Sequence, residues 1–287
     1  MVAPMTELFK TKLPTLILVA LSFSLASFAQ AAENSIARLP SWQVLEYEQK
    51  AFWATARSRI EVLPVAGKPD EWVLDVLSSV VDNSEKLTVN FDPATGGVNY
   101  RSRISSGKEQ RMKSYQYEAD FILRERRNAP ENSTIPPGEW PVTNTKYVNY
   151  PASRGTTVVT TPYMLVLLAA QLQAQGPNHS MEVIVNTDIN FYRVKLTSGS
   201  GFPVEADYKV TGKEDVSGKF ETLAVAITAS PEGKLEDDDD FTVLGLDGEI
   251  ILLFDKATGL PLQIRGDAPR IGGTEINLKS VTMRAAR

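Results

Sequence analysis

Two residue types that carry much of enzyme chemistry are almost missing from this 287-residue chain. It has no cysteine and a single histidine, His179. The absence of cysteine excludes disulfides, thiolate nucleophiles and a lipid-modified N-terminal cysteine. Zinc sites use several His or Cys ligands, and a Ser-His-Asp triad would have to use this one histidine. Because His179 follows a helix-ending Gly-Pro pair and no serine stands in a nucleophile-elbow pattern, we interpret it as an exposed loop residue.

Other signals of cofactor or polymer binding are also missing. There is no glycine-rich phosphate loop and no dinucleotide fingerprint. A formal net charge of −5 gives no indication of nucleic-acid binding. We therefore predict no cofactor, no metal and no nucleic-acid partner. Carboxylate chemistry stays open to an enzyme, but Asp188, Asp207 and Asp247 lie at predicted strand ends where ordinary turns also place aspartate, so no catalytic pair is named.

Long apolar runs are absent except near the start of the chain. Residues 13–28 form an apolar segment that follows Lys10 and Lys12, and small residues occupy the two positions that a signal peptidase reads. This pattern predicts a signal peptide over residues 1–31 and a mature chain, residues 32–287, in a bacterial periplasm without a lipid anchor. The alternative is a transmembrane anchor, against which the polar residues directly after the cleavage site argue.

The segment Thr160–Pro177 carries the signals of a short buried helix. Thr160 or Thr161 can cap the helix, Pro162 suits its first position, and Gly176 with Pro177 ends it. The first two turns have no polar face, so the helix must be buried. Its ten or so apolar residues are too few for a bilayer, which needs roughly 20. We predict a central helix over residues 161–175.

The rest of the mature chain has the pattern of β-strands separated by turns about every ten residues. Two copies of Phe-Asp-x-Ala-Thr-Gly, starting at Phe91 and Phe254, predict tight turns in which Asp binds the backbone ahead and Gly adopts positive φ. Residues 241–246 are predicted as a strand and Asp247-Gly248 as a hairpin turn. The predicted fold is mainly β: a large curved antiparallel sheet or open barrel wrapped around the one helix, forming a single domain over residues 32–287.

Residues 128–159 are rich in proline and glycine and are predicted to form a long loop. Its aromatic residues suggest that it packs down over the mouth of a cavity. The candidate ligand-binding residues are Trp140, Tyr147 and Tyr150 in this loop and Tyr163 at the start of the helix.

Two charged segments each allow two interpretations. Residues 101–127 carry eight basic and four acidic residues, which form either a surface for an anionic group or the charged outer faces of strands. The acidic run at residues 236–240 is either a cation-binding loop or a solvated hairpin tip. It lacks the alternating ligand spacing of a known calcium loop, so we favour the hairpin tip.

From Thr157 to Met283 the chain resembles a large family of exported bacterial β-rich proteins of unknown function. The matching segments are Tyr163–Leu172, Glu182–Val185, Phe191–Val194, Phe220–Val225, Gly248–Ile250, the Asp255–Pro261 hairpin with its continuation to Gly266, and Gly272–Leu278. Family helices often open with Asp-Pro and carry an arginine near their end, where this chain has Thr161-Pro162 and Gln171 with Gln173. The family is similar in outline to the open-barrel carriers that move lipoproteins across the periplasm, and it implies no catalytic residues.

These observations favour a non-enzymatic envelope protein that binds an apolar or amphipathic, lipid-like ligand in the concave face of its sheet. A carboxylate-dependent hydrolase of cell-envelope glycans is the rival hypothesis, and it requires two acidic residues about 5 to 10 Å apart in one cleft. A scaffold component with an envelope protein partner is the third, and exposed edge strands would indicate it.

Overall fold

The computed structural model describes residues 40–51, 54–107, 110–131, 133–236, 238, 240–269 and 271–285. The predicted signal peptide lies outside these described residues. Within them, the chain is mainly β-strand with one α-helix, and the strands form one large curved sheet that does not close. The predicted fold class is therefore confirmed.

The elements follow one another along the chain with short connections. The strands are β1 (Trp42–Ala51), β2 (Ala54–Val65), β3 (Lys68–Val80), β4 (Asn83–Phe91), β5 (Val98–Ser106), β6 (Arg111–Tyr117), β7 (Phe121–Asn128), β8 (Val142–Asn149), β9 (Val159–Thr160), β10 (Ser180–Asn186), β11 (Phe191–Ser200), β12 (Val204–Val210), β13 (Val216–Phe220), β14 (Thr222–Pro231), β15 (Asp247–Asp255), β16 (Pro261–Ala268) and β17 (Gly272–Met283). The α-helix, α1, spans Leu165–Ala174.

The sheet runs from β8 at one edge to β9 at the other. Strands β8 back to β1 pair antiparallel in sequence order, and β1 then pairs antiparallel with β17. From β17 the order continues through β16, β15, β14, β11 and β10, and β9 closes this half in parallel with β10. The β12–β13 hairpin branches from β17. The two halves of the chain therefore meet at the β1–β17 pair. The two edge strands, β8 and β9, lie at opposite ends of the strand order.

Cross-strand pairing shows how the inner face of the sheet changes character. Leu45, Ile60, Val76 and Leu87 are paired in one row across β1 to β4, and all four are buried. Directly paired residues share a face, so this row is the core side of the sheet. The next member of the same row is Arg103 on β5. The inner face is thus apolar under the first strands and becomes basic from β5 onward.

The helix α1 packs into the concave face, as the sequence predicts. Its buried side chains include Leu165, Val166, Leu167 and Leu168, and it contacts β11, β14 and β15. Gly176 has φ +94° just past the helix end. No helix in the described part of the chain is long and apolar enough to cross a membrane.

The predicted threonine cap of this helix is wrong. Residues 162–164 form a 3-10 turn before α1, and Thr161 makes no side-chain capping bond. Its hydroxyl instead accepts a hydrogen bond of 2.8 Å from Nη1 of Arg101. The hydroxyl oxygen that the local sequence assigns to the helix cap therefore binds an arginine 60 residues away in the chain.

The two Phe-Asp-x-Ala-Thr-Gly turns form as predicted. The Asp92 carboxylate accepts the backbone N–H of Ala94 at 2.7 Å, and the Asp255 carboxylate accepts that of Ala257 at 3.2 Å. The glycine that ends each turn has φ of +75° or +70°, a conformation that a side chain would strain. One local device therefore turns the chain in each half of the sheet.

The predicted long loop over residues 128–159 is wrong as a single loop, because β8 runs through it and pairs with β7. The sequence Val142–Asn149 contains valine, threonine and tyrosine, which favour strand, and the prolines at 141 and 151 stand only at its ends. Short 3-10 turns at Pro137–Glu139 and Ala152–Arg154 form the connections.

The predicted strand over residues 241–246 and the turn at Asp247-Gly248 are also wrong. Val243 and Leu246 form one isolated bridge around a tight turn at Leu244-Gly245, where both φ angles are positive. Asp247 and Gly248 instead begin β15. The apolar residues Val243 and Leu246 are buried in the core, so their apolar pattern comes from packing and not from a strand.

Replacing Leu168 by alanine tests whether the helix is enclosed. Leu168 is 1% exposed within the core, so Leu168→Ala should lower the free energy of unfolding by about 2–5 kcal/mol. Leu77→Ala, at a leucine that is 49% exposed, is the control and should change it by about 0.5 kcal/mol or less. Urea denaturation measures both, and equal effects of the two substitutions would contradict an enclosed helix.

Candidate functional site

The free ends of the sheet approach each other and share a small second core. It combines side chains from β6, β7 and β8 with side chains from β9, β10 and β11. Its buried members are Tyr115, Ile122, Val148, Val159, Ile184 and Phe191. The two edges are therefore joined by side-chain packing instead of by a ladder of backbone hydrogen bonds.

Arg101 fastens the hairpin tip between β10 and β11 to the inner face of β5. Its side chain is buried, Nη1 donates to the carbonyl of Asn186 at 3.0 Å, and Nη2 donates to the Asn186 side chain at 3.2 Å and to the carbonyl of Thr187. The guanidinium lies 3.7 Å over the ring centre of Tyr115. A buried charge requires such partners, and these carbonyl and amide oxygens with the ring face supply them.

Asp188, at the tip of the same hairpin, binds three side chains of β6 and β7. Its carboxylate accepts hydrogen bonds from Arg124 Nε at 2.5 Å, from the Tyr115 hydroxyl at 2.7 Å and from the Lys113 ammonium group. Burial acts to raise the pKa of the Asp188 carboxyl, but the hydrogen bonds from Arg124, Lys113 and Tyr115 outweigh it and hold that pKa well below its ordinary value. Asp188 is therefore ionised at neutral pH and holds the hairpin in place.

Asp240 contacts the other side of this hairpin. Its Oδ1 accepts from the Thr187 hydroxyl at 2.8 Å, from the Tyr192 hydroxyl at 3.1 Å and from the Asn190 amide at 3.2 Å. The solvated hairpin tip predicted for residues 236–240 is therefore wrong for Asp240; Asp237 and Asp239 lie outside the described residues. Within the described ranges, no three His, Asp or Glu side chains are grouped so that they could hold a metal ion.

A cleft of about 900 Å³ opens beside Tyr163, where the helix start meets strands β1 to β5. Its apolar lining includes Tyr47, Ala56, Val80, Leu244 and Ile276. Its polar lining is rich in hydroxyl groups and includes Ser58, Ser78, Ser84, Ser105, Ser106 and Asn83. Ser58, Ser78, Glu85 and Ser105 are successive partners in one cross-strand row, so the hydroxyl wall follows directly from strand register.

A smaller pocket of about 400 Å³ adjoins this cleft, and Arg103, Tyr163 and Thr242 line both. At the wall of the larger cleft, Glu85 accepts a hydrogen bond of 2.6 Å from Arg103 Nε and one of 2.9 Å from the Tyr163 hydroxyl. Burial raises the pKa of the Tyr163 hydroxyl far above its ordinary value, so this hydroxyl remains a donor. Arg103, Glu85 and Tyr163 thus form one hydrogen-bonded group, of which Arg103 and Tyr163 line both spaces.

Of the four aromatic residues predicted to bind a ligand, Tyr163 alone lines these two spaces. Trp140 is buried and donates its indole N–H to the carbonyl of Ile135 at 3.1 Å. Tyr147 is 64% exposed on β8, with its ring 5.2 Å from that of Phe121. Tyr150 donates its hydroxyl to the carbonyl of Glu118 at 3.0 Å.

The aspartates considered for hydrolysis do not share one site. Asp188 lines the smaller pocket, whereas Asp207 lines a separate cleft of about 680 Å³ beside the β12–β13 hairpin. Asp247 is paired opposite Asp267 at the start of β15 and lines none of these spaces. His179 is exposed in the connection after α1, as predicted.

The sequence placed the basic residues of 101–127 on a surface, but strand register turns several of them inward. Arg103 is paired with Lys113, and Lys113 with Arg126, in the row that continues from the apolar core. The signal was present as spacing, since 101 and 103, 111 and 113, and 124 and 126 each differ by two. Neither the outer-face interpretation nor a surface patch for an anion describes these inward side chains.

Neutralising Asp188 tests how the hairpin is held. Asp188→Asn leaves Lys113 and Arg124 without their carboxylate and should lower the free energy of unfolding by about 2 kcal/mol at pH 7, a value reduced for partial solvent screening. Because the folded-state pKa is depressed, this stabilisation is present above the unfolded value of about 3.9 and is lost as pH falls through the folded pKa.

The difference between wild type and Asp188→Asn should therefore be constant from pH 5 to 8 and should narrow below about pH 4, as measured by urea denaturation. Glu48→Gln, which removes the surface partner of Arg57, is the control and should cost about 0–1 kcal/mol. An Asp188→Asn protein as stable as wild type at pH 7 would show that packing alone holds the hairpin.

The comparisons with known proteins found a likeness among solved structures. No protein-family model matches the chain, and no curated protein matches it. Among solved structures, the chain is similar to a crystal structure from Brucella abortus, described as a β-barrel-like protein of the domain of unknown function DUF1849. The two share 12% sequence identity with a TM-score of 0.45, over 84% of this chain and 96% of that chain.

Proposed function

We propose that this protein is an exported envelope protein that binds an amphipathic, lipid-like ligand in the 900 Å³ cleft beside Tyr163. The observation that carries the proposal is the cleft itself, which stays open at the helix start. Beyond Tyr163 the helix residues Leu165 to Ala169 are buried in the core, so the cleft lies beside a closely packed part of the concave face. An open space in an otherwise close-packed interior is a candidate binding site.

The lining of the cleft suits a molecule with both apolar and polar parts. Tyr47, Val80 and Ile276 offer apolar surface, while Ser58, Ser78 and Ser105 offer hydroxyl groups that donate and accept hydrogen bonds. Ligand pockets typically measure about 300–1,000 Å³ and combine apolar walls with a few polar groups, and this cleft has that size and composition.

The hydrolase alternative has less support from the same residues. A glycosidase of this type needs a carboxyl group with a raised pKa to donate a proton. Asp188 has a lowered pKa, and the Glu85 carboxylate is bound by Arg103 and Tyr163. These carboxylates are occupied in holding the structure together.

A scaffold role with an envelope protein partner has one observation in its favour. Among the described strands, β8 pairs with β7 alone, so its other edge is available for pairing with a strand of another protein. Tyr147 is exposed on this strand, whereas Lys146 and the flanking prolines oppose strand addition. We keep this as the second candidate.

Export is the first testable part of the proposal. Residues 1–31, fused to alkaline phosphatase lacking its own signal, should produce active enzyme outside the cytoplasm, because the basic, apolar and small-residue regions match a signal peptide. N-terminal sequencing of the exported full chain should begin at Ala32. An inactive fusion would refute export, and an intact N-terminus on an exported protein would indicate an anchor.

Ligand binding is tested by filling the cleft. Ser105 lies on the cleft side of β5, and a phenylalanine there would occupy the space, so Ser105→Phe should weaken binding of the fluorescent fatty acid cis-parinaric acid about tenfold or more. Ser102→Phe is the matched control, because Ser102 lies on the opposite face of the same strand. It should leave the affinity unchanged.

Circular dichroism and urea denaturation establish that both variants fold. Absence of binding to the wild-type protein, or equal binding by the two folded variants, would refute the cleft as the ligand site.

A further inference from the structure

The charged side chains that line the larger cleft are matched by partners of opposite charge. In the described part of the chain these are Arg57, Glu85 and Arg103. Glu85 is paired with Arg103 at 2.6 Å, and Arg57 is paired with Glu48 at 3.0 Å. These residues therefore offer no unpaired charge to a ligand in the cleft.

The uncharged polar side chains of the cleft, in contrast, keep hydrogen-bonding capacity. Cross-strand register turns five of them to the cleft side of the sheet: Gln49, Ser58, Ser78, Asn83 and Ser105. Ser58 and Ser78 share one hydrogen bond of 3.1 Å. The other three side chains make no hydrogen bond within the described ranges of the chain. Amides and hydroxyls both donate and accept, so this wall can bind groups of either kind.

We propose that the cleft selects an amphipathic ligand whose head group is uncharged and carries several hydroxyl groups, as glycerol and sugar head groups do. The proposal rests on the proposed function and adds the chemical class of the head group. The amide and hydroxyl side chains bind this head group, and Tyr47, Val80 and Ile276 contact the apolar part of the molecule.

Selectivity against charge follows from the pairing of the charged side chains. A charged head group that enters the cleft gives up part of its hydration and meets no unpaired counter-charge among the described lining residues. An uncharged polyol exchanges hydrogen bonds with water for hydrogen bonds with amides and hydroxyls, at a much smaller cost. The difference in desolvation therefore favours the uncharged head group.

The test compares single-chain lipids that share a twelve-carbon chain and differ in head group. Isothermal titration calorimetry below the micelle concentration would use monolauroylglycerol, dodecyl glucoside and lauroyl lysophosphatidylglycerol. The first two are uncharged, whereas the third keeps glycerol hydroxyls and adds a phosphate charge. We expect at least one uncharged lipid to bind about tenfold more tightly than the charged lipid. Which uncharged lipid binds more tightly distinguishes a glycerol from a sugar head group.

Removing one hydroxyl of the wall tests where the head group binds. Ser105→Ala should weaken binding of the preferred uncharged lipid several-fold, because a hydrogen bond between uncharged groups is lost. Ser102→Ala is the matched control, because Ser102 lies on the opposite face of the same strand. It should leave the affinity unchanged.

Unpairing an arginine of the lining tests the argument from charge. Glu85→Gln leaves Arg103 without its carboxylate in the cleft wall, so the ratio of the affinities for the uncharged and the charged lipid should narrow several-fold. Glu61→Gln removes a partner of Arg59 outside the cleft lining and should leave this ratio unchanged. Circular dichroism and urea denaturation establish that each variant folds.

The outcomes separate this inference from the proposed function. Charged and uncharged lipids that bind the wild-type protein equally well would overturn the head-group selection while leaving the cleft as a lipid site. Binding of none of the three would overturn the proposed function itself. A folded Ser105→Ala protein with wild-type affinity for the uncharged lipids would overturn the hydroxyl wall as the head-group site.

Discussion

The structure depends on enclosing a short helix whose first turns have no polar face. Leu165 to Ala169 are all buried, so no side of this part of α1 faces water. A flat sheet covers one side of a helix only, and enclosure therefore requires the sheet to curve until its ends approach each other. The β1–β17 pair lets the N-terminal and C-terminal halves of the chain share this task, since each contributes one arm of the curved sheet.

Curvature brings the ends together without joining their backbones, and side chains complete the closure. The tip of the β10–β11 hairpin carries two carbonyls and one carboxylate into the inner face of β5 to β7, where Arg101, Lys113 and Arg124 bind them. Burying these charges is tolerable because each has a partner of good geometry. The pocket and the cleft both adjoin Arg103, the residue at which the apolar row of β1 to β4 gives way to basic side chains.

The sequence predicted the helix, the two aspartate turns and the fold class because each depends on residues close together in the chain. It failed where distant residues compete for a local group. Thr161 reads as a helix cap, but Arg101, 60 residues away, takes its oxygen. The strand at 142–149 was predicted as loop because of prolines, and these prolines only flank the strand. Arg101 and Asp188 gave no local sign of their hydrogen-bond partners, since these lie 60 to 86 residues away along the chain. The choice of inner or outer face for the basic residues was decided by register with β4, which depends on the whole sheet.

Of the four candidate ligand residues, Tyr163 is the one that lines the cleft, because it lies in the turn before α1. The aromatic residues of the 128–159 segment were chosen on the premise of a lid, and a strand stands where that lid was expected. A position defined by the buried helix was thus a better guide to the cavity than composition was.

The most direct test of the account is native mass spectrometry of the wild-type protein, freshly purified from an exporting host without detergent. The spectra should show a population heavier than the bare chain by the mass of one amphipathic molecule, which organic solvent removes and which Ser105→Phe does not retain. A bare chain in every preparation, together with a crystal structure in which protein side chains fill the space beside Tyr163, would contradict it.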